Sequence, residues 1–285
     1  MGCGFAGAAS PVPDVERLAA WLVERSRVTV ITGAGVSTGS GIPDYRDGDG
    51  NWKRSPPVQY RDFVESAAVQ RRYWARSFAG WPMFAAAEPS AAHLALARLE
   101  QAGRVAEVVT QNVDRLHQRA GSRNVIDLHG RLDVVRCLAC NDRTPRDVFQ
   151  ERLREANPDW HSSPARIAPD GDADLADADF DRFVIPACQI CGGVLKPDVV
   201  FYGESVPREV SVAAIAAVEA AEGMLVAGSS LMVWSSFRLV RAAAQCSTPV
   251  VALNRGRTRA DDLFAFKLDG ECGAVLDAVA ERLLE

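Results

Sequence analysis

Four of the seven cysteines form two CxxC pairs, Cys137 with Cys140 and Cys188 with Cys191, with 47 residues between the pairs. Four soft sulfur ligands in this pattern suit a tetrahedral Zn²⁺ site. Disulfides or unrelated buried thiols compete with that reading, but paired CxxC without a secretion signal favours metal. Four protein ligands leave no open position for water, so the expected zinc holds two loops together and takes no part in catalysis. Cys3, Cys246 and Cys272 lie outside the pairs and read as small core or surface residues.

A second constellation follows the β-rich run Val28–Ile31. Gly33, Ala34 and Gly35 open a loop through Gly39 and Gly41 that lets backbone N–H groups approach a pyrophosphate. The glycine spacing is GxGxxxG, and no strand-end acid follows about 20 residues on, which argues against a dehydrogenase. No Ser-His-Asp set accompanies it, so a cofactor must carry the difficult chemistry. Taken singly, each of the four histidines, His93, His117, His129 and His161, reads as a satisfied structural imidazole.

Residues 33–46 read GAGVSTGSGIPDYR, and with this segment the chain resembles the sirtuins. Further matches come in the same order: TQNVD at 110–114, Leu128-His129-Gly130, the two CxxC pairs, KPDVVF at 196–201, Gly228-Ser229-Ser230 and Asn254. The resemblance covers about residues 15 to 280. The segment from Tyr73 to Arg76, the long insert between the CxxC pairs and Gly203-Glu204 are similar to the class II sirtuins. Only three lysines (Lys53, Lys196, Lys267) beside abundant alanine suggest a GC-rich bacterial genome.

The resemblance implies an NAD-dependent protein-lysine deacylase that turns acyl-lysine, NAD and water into lysine, nicotinamide and O-acyl-ADP-ribose. The acyl oxygen attacks the nicotinamide ribose, so NAD is consumed and not reduced. By the same resemblance His129 is the general base, assisted by Asn112. Ile42, Pro43, Asp44 and Arg46 form the cofactor loop, and Gln111, Asn112 and Asp114 meet the ribose and nicotinamide. Gly228, Ser229 and Ser230 approach phosphate and ribose, while Asn254, Arg255, Gly256 and Cys272 lie on the adenosine side. Val199, Val200, Phe201, Gly203 and Glu204 receive the acyl-lysine, the peptide pairing as an added strand. Tyr73 and Arg76, three apart in a helix, resemble a pairing that class III sirtuins use for acidic acyl chains; simple packing of a small domain is the competing reading. A mono-ADP-ribosyltransferase and an NAD-sensing module with weak catalysis are the alternatives to deacylation.

These residues need a scaffold. Short β-rich runs at 28–31, 106–110, 125–128, 224–227 and 249–253 alternate with helix-like segments at 14–25, 207–221 and 235–245, the pattern of an α/β fold with a parallel sheet. We expect a discontinuous Rossmann-like NAD-binding domain (1–45, 78–135, 199–285) and a smaller inserted zinc-binding and helical domain (46–77, 136–198). The acidic stretch 170–181 reads as a solvated surface loop and not as a Ca²⁺ site.

The 285 residues carry 48% hydrophobic and 24% charged side chains, as in an ordinary globular protein. A net charge of −5 gives no electrostatic case for nucleic acid or an anionic membrane. Residues 1–13 lack the features of an export or transit signal, Gly2 lacks the myristoylation context, and no apolar run is long enough to span a bilayer. A cytoplasmic monomer acting on acylated-lysine proteins is expected.

Overall fold

The computed structural model describes residues 12–53, 57–160, 170–173, 175 and 179–285. Cys3, His161 and the start considered for export and myristoylation lie outside the described residues, apart from the backbone at 12 and 13. In chain order the strands are β1 (Val28–Thr32), β2 (Glu107–Thr110), β3 (Val125–Asp127), β4 (Gly130–Cys137), β5 (Arg143–Pro145), β6 (Leu195–Val199), β7 (Gly223–Ala227), β8 (Val250–Leu253) and β9 (Phe266–Leu268). The helices are α1 (Val12–Val23), α2 (Tyr60–Glu65), α3 (Ala67–Ala85), α4 (Ala91–Gln101), α5 (Leu116–Arg119), α6 (Arg146–Ala156), α7 (Arg208–Glu219), α8 (Trp234–Gln245) and α9 (Cys272–Leu284).

β1, β7 and β8 are buried at every position because both faces of their sheet are covered. Side chains alternate between the faces. Val28, Val30, Leu225 and Leu253 pack with α1, α4 and α9, whereas Ile31, Met224, Val226 and Ala252 pack with α7 and α8. The sheet order is β3-β2-β1-β7-β8-β9, with every pair parallel. This is the expected Rossmann-like layering, extended by one short edge strand, β9.

A second, antiparallel sheet of order β5-β4-β6 packs with α2, α3 and α6 around Phe63, Tyr73, Trp74, Phe149 and Phe183. Arg146 is fully buried there, donating to Gln150 Oε1 at 2.6 Å and to the Ser77 carbonyl at 3.3 Å, with Trp81 4.9 Å away. Burial pulls its pKa down to about 10. α3 runs unbroken through residues 77 and 78, with Ser66 capping its start through Val69 N–H.

The acidic stretch departs from its expected surface role at its start, whereas Asp179 and Asp181 at its end are exposed as expected. Asp172 is 3% exposed, and the segment folds back on α3, with Ala173 N–H donating to the Arg76 carbonyl at 3.2 Å. Gly80 permits this approach, since a Cβ there would meet the Gly171 carbonyl at 2.1 Å.

Candidate active site

Parallel register brings the carboxyl ends of the central strands to one edge: Thr32 pairs with Thr110 and Ala227, Ala227 with Leu253, and Thr110 with Asp127. The residues that follow, Gly33, Gln111, Leu128, Gly228 and Asn254, therefore emerge together at the crevice where such sheets bind ligands. A cavity of about 980 Å³ opens at this edge and reaches Tyr73 and Leu132 of the second lobe. It is at the top of the range for small-molecule sites, as an extended dinucleotide with a second substrate would require.

The glycine-rich loop lies directly on the end of β7. Gly35 N–H donates to the Gly228 carbonyl at 2.9 Å, and a Cβ on Gly33 or Gly35 would stand 2.8 or 2.7 Å from Gly228 atoms. Side chains lock the same corner. Asn112 Nδ2 donates to the Gly33 carbonyl (3.0 Å) and Ser37 Oγ (2.9 Å), Ser37 Oγ donates to Asp114 Oδ2 (2.7 Å), and Gln111 Nε2 donates to Ser229 Oγ (2.7 Å). Burial raises the Asp114 pKa despite these bonds. On the opposite side, buried Asn254 donates to the Arg255 carbonyl at 2.8 Å. Cys272, at the N-terminus of α9, is buried, and burial pushes its thiol up to about 12. The corner fits a nucleotide: its backbone approaches closely and its polar groups converge.

His129 follows β3 and is oriented from both nitrogens. Nδ1 lies 3.2 Å from the Gln111 carbonyl, an obligate acceptor, so Nδ1 carries the proton of the neutral ring. Nε2 is then the acceptor, and Ser235 Oγ donates to it at 2.7 Å. Burial lowers the imidazole pKa to about 4, partly opposed by the Gln111 bond. Gly130 (φ +80°) makes the turn after it; a Cβ would meet the Asp198 carbonyl at 2.1 Å. His93 is held by Ser90, and His117 Nε2 lies 2.9 Å from Thr32 Oγ1. Both are buried in the scaffold, away from the cavity wall.

Ile42, Asp44 and Arg46 line the cavity, and Asp44 pairs with Lys53 at 2.5 Å. Arg46 stacks 3.9 Å over Trp52 and donates to the Gly50 carbonyl at 2.7 Å. Pro43 and Gly256 are not on the wall. Gly256 packs against Gly48 beside a 2.8 Å bond from Arg257 N–H to the Gly48 carbonyl, which ties this loop to the end of β8.

Val199, Val200, Phe201, Gly203 and Glu204 form a continuous part of the wall, joined to His129 where Val200 N–H donates to its carbonyl at 2.8 Å. Glu204 is engaged from inside by Phe201 N–H (2.9 Å) and by the fully buried Lys196 ammonium (3.0 Å). Tyr73 reaches the wall, packed on Phe63 and Phe201. Arg76 does not: its Nε donates to the Ala173 carbonyl at 3.0 Å, and Asp172 stands 3.6 Å from it.

The four cysteine sulfurs of the CxxC pairs all lie within 4.8 Å of one another. Cys137 and Cys191 sulfurs are 3.5 Å apart and those of Cys140 and Cys188 3.7 Å, too far for disulfides and close to the ~3.8 Å edge of a tetrahedron with Zn–S bonds of about 2.3 Å. The donor set fits one structural zinc clamping the β4–β5 turn to the chain before β6.

Ser235 and Ser37, which the sequence does not single out, complete the site. Their chemistry is ordinary, and only contact across 106 and 75 residues marks them.

A doubly covered parallel sheet with a glycine loop, converging amides and a tautomer-fixed histidine at its strand ends, carrying a four-cysteine clip, defines a nucleotide-binding α/β enzyme. The model of the Sir2 family matches residues 33–235, and the chain belongs to that family. It is 55% identical over 270 residues to an NAD-dependent protein deacetylase of Bordetella bronchiseptica, covering 95% of this chain and 98% of the relative. It is 49% identical over 266 residues to the NAD-dependent protein deacylase Sirt4 of Drosophila melanogaster, covering 92% and 85%. A solved Sir2–p53 peptide–NAD+ structure superposes with a TM-score of 0.74 at 30% identity, covering 94% of this chain and 98% of that one.

Proposed function

We propose that the protein is an NAD-dependent protein-lysine deacylase, converting acyl-lysine, NAD and water to lysine, nicotinamide and O-acyl-ADP-ribose. The observation that carries this reading is the acceptor nitrogen of His129, held beside both the glycine-loop corner and the 199–204 wall in one cavity. Bound NAD supplies an electrophilic ribose carbon. His129, neutral at physiological pH, takes a proton at Nε2, with Gln111 orienting the ring. Asn112 and Asp114 hold the nicotinamide side of the corner, Gly33, Gly35, Gly228 and Ser229 the phosphates, and Asn254 and Cys272 the adenosine. The cavity-lining segment from Val199 to Gly203 receives the substrate peptide as an added strand. A relative that acts as a deacetylase supports the activity, and four cysteines spaced for metal fit the reducing cytoplasm.

The test follows nicotinamide and freed lysine together, with NAD and acetyl-, succinyl-, glutaryl-, lipoyl- and long-chain acyl-lysine peptides. Equimolar products are expected, with His129→Ala lowering deacylation by roughly 10²- to 10⁴-fold. Nicotinamide release with ADP-ribose transferred to protein and no freed lysine would overturn the reading in favour of a transferase.

A further inference from the structure

Helix α8 carries a guanidinium into the cavity that no described residue neutralises. Arg238 is half-buried on the wall, its Nε and Nη2 are both buried without a hydrogen-bond partner, and among the described residues no other side chain leaves two nitrogens in that state. The other charged groups of the wall are served. Asp44 meets Lys53, Glu204 meets Lys196, Arg46 donates to the Gly50 carbonyl, and Arg255 and Arg257 are exposed to water. Burying an ionised donor without an acceptor is costly, so an unpaired guanidinium at a cavity points to an acceptor that arrives with the ligand.

Its place on the helix narrows the ligand. Arg238 lies three and four residues after Ser235 and Trp234 and shares their face, and Ser235 touches His129. Trp234 is 52% exposed, which puts this end of the cavity at its mouth. Across from α8 the wall continues the 199–204 segment through Val206 to Ser211. Tyr73 packs in the aromatic cluster of the second sheet and Leu132 beside Ile42 and Val113, so both stand on parts of the wall other than α8, and the acyl chain and the flanking peptide have separate surfaces to meet.

We propose that Arg238 recognises a carboxylate of the substrate polypeptide, an Asp or Glu close in sequence to the acyl-lysine. Its planar fork matches a carboxylate with two parallel N–H···O bonds, and partial burial spares that pair from full solvent screening. The inference rests on the deacylase reading but is tested by binding, independently of turnover.

Fluorescence anisotropy with labelled acetyl-lysine peptides of one length, flanked by Asp/Glu, by neutral residues or by Lys/Arg, reads it directly. A neutral-flanked succinyl-lysine peptide serves as the acyl-side arm. Acid-flanked peptides should bind about tenfold more tightly than neutral ones, with the advantage shrinking as salt rises. Arg238→Gln should remove the advantage, and Arg238→Glu should turn the preference toward basic flanks; thermal melts report whether the variants fold. Equal wild-type affinities, or an acid preference that survives in Arg238→Gln, would overturn the proposal. So would an Arg238-dependent gain confined to succinyl-lysine, which would place the carboxylate on the acyl chain. Equal wild-type affinities overturn the proposal even if a variant does not fold, and Arg238→Gln and Arg238→Glu give two independent variants that assign an acid preference to this residue and not to Arg255 or Arg257.

Discussion

His129 shows how a single side chain takes on a role that its type alone does not reveal. An isolated histidine in this sequence reads as structural, and His93 and His117 do occupy the scaffold; His129 differs through two contacts made 18 and 106 residues away. The Gln111 carbonyl fixes the tautomer, and the Ser235 hydroxyl donates to the nitrogen that must accept a proton. A donor on Nε2 stabilises the neutral ring and lowers its proton affinity. Ser235→Ala should therefore raise the imidazole pKa and move the acid limb of the pH–kcat/KM profile upward by roughly half to one unit, since a neutral hydrogen bond contributes about 1 kcal/mol and one pK unit is about 1.4 kcal/mol. Ser235→Thr, which keeps the hydroxyl, should leave the limb near its original place. An acid limb identical in wild type and Ser235→Ala would show that the contact does not bear on the base. The sequence could not nominate Ser235 or Arg238, because neither is unusual in type and both depend on where α8 lies against the end of β3. Arg76 is the converse case: helical spacing put it beside Tyr73, but the 170–173 segment engages it elsewhere.

The elements that could be read in advance were those whose burial imposes a pattern. Both-face burial makes β1, β7 and β8 continuous apolar runs, and α7 and α8 carry their apolar stripes toward the sheet. The edge strand β9 escaped notice because three residues at a sheet edge impose almost no pattern. The β5-β4-β6 sheet escaped for a different reason. Its residues alternate only loosely, β4 and β6 shift register between Gly130 and Val135, and the cysteine clip replaces apolar packing at one end. That construction makes the sheet dependent on its metal. β6 ends at Val199, where the substrate wall begins, and Lys196 of β6 supports Glu204 from beneath. Removing zinc with a chelator, or mutating Cys140→Ser, should therefore abolish peptide turnover while the main sheet keeps most of its secondary structure. A structural zinc contributes apparent binding free energy on the order of 10 kcal/mol, more than a sheet this small supplies by packing. Metal analysis beside circular dichroism and activity checks this, and full activity in a zinc-free sample with intact lobes would refute it.

Across the molecule, the buried imidazoles couple folding to pH. Burial lowers His93 and His129 from 6.5 to about 4, and lowers His117 well below its ordinary value, aided by the nearby His93. All three are neutral in the folded protein, whereas the unfolded chain takes up their protons as pH falls through 6.5. The unfolded state thus binds more protons between about 4 and 6.5, and stability must fall on acidification through that window. For His93 and His129 the span from 6.5 down to 5 amounts to 1.5 pK units each, or about 2 kcal/mol per group. Burial raises the pKa of Asp114 and Asp127, which acts in the opposite sense by favouring the folded state as they protonate. Their effect sets in above 3.8 as pH falls and offsets part of the histidine contribution. The melting temperature should accordingly drop by roughly 10 °C from pH 7 to pH 5, taking about 4 kcal/mol for the two groups at some 2–4 °C per kcal/mol. His93→Gln should make that slope shallower, because the residue sits in a capping contact with Ser90 that an amide can also make and it carries no proton to be taken up. Thermal melts at fixed ionic strength, with zinc content verified at each pH, distinguish this from acid loss of the metal. A melting temperature independent of pH between 7 and 5, or one that falls as steeply in His93→Gln, would mean that these imidazoles are protonated as readily in the folded protein as in the unfolded chain.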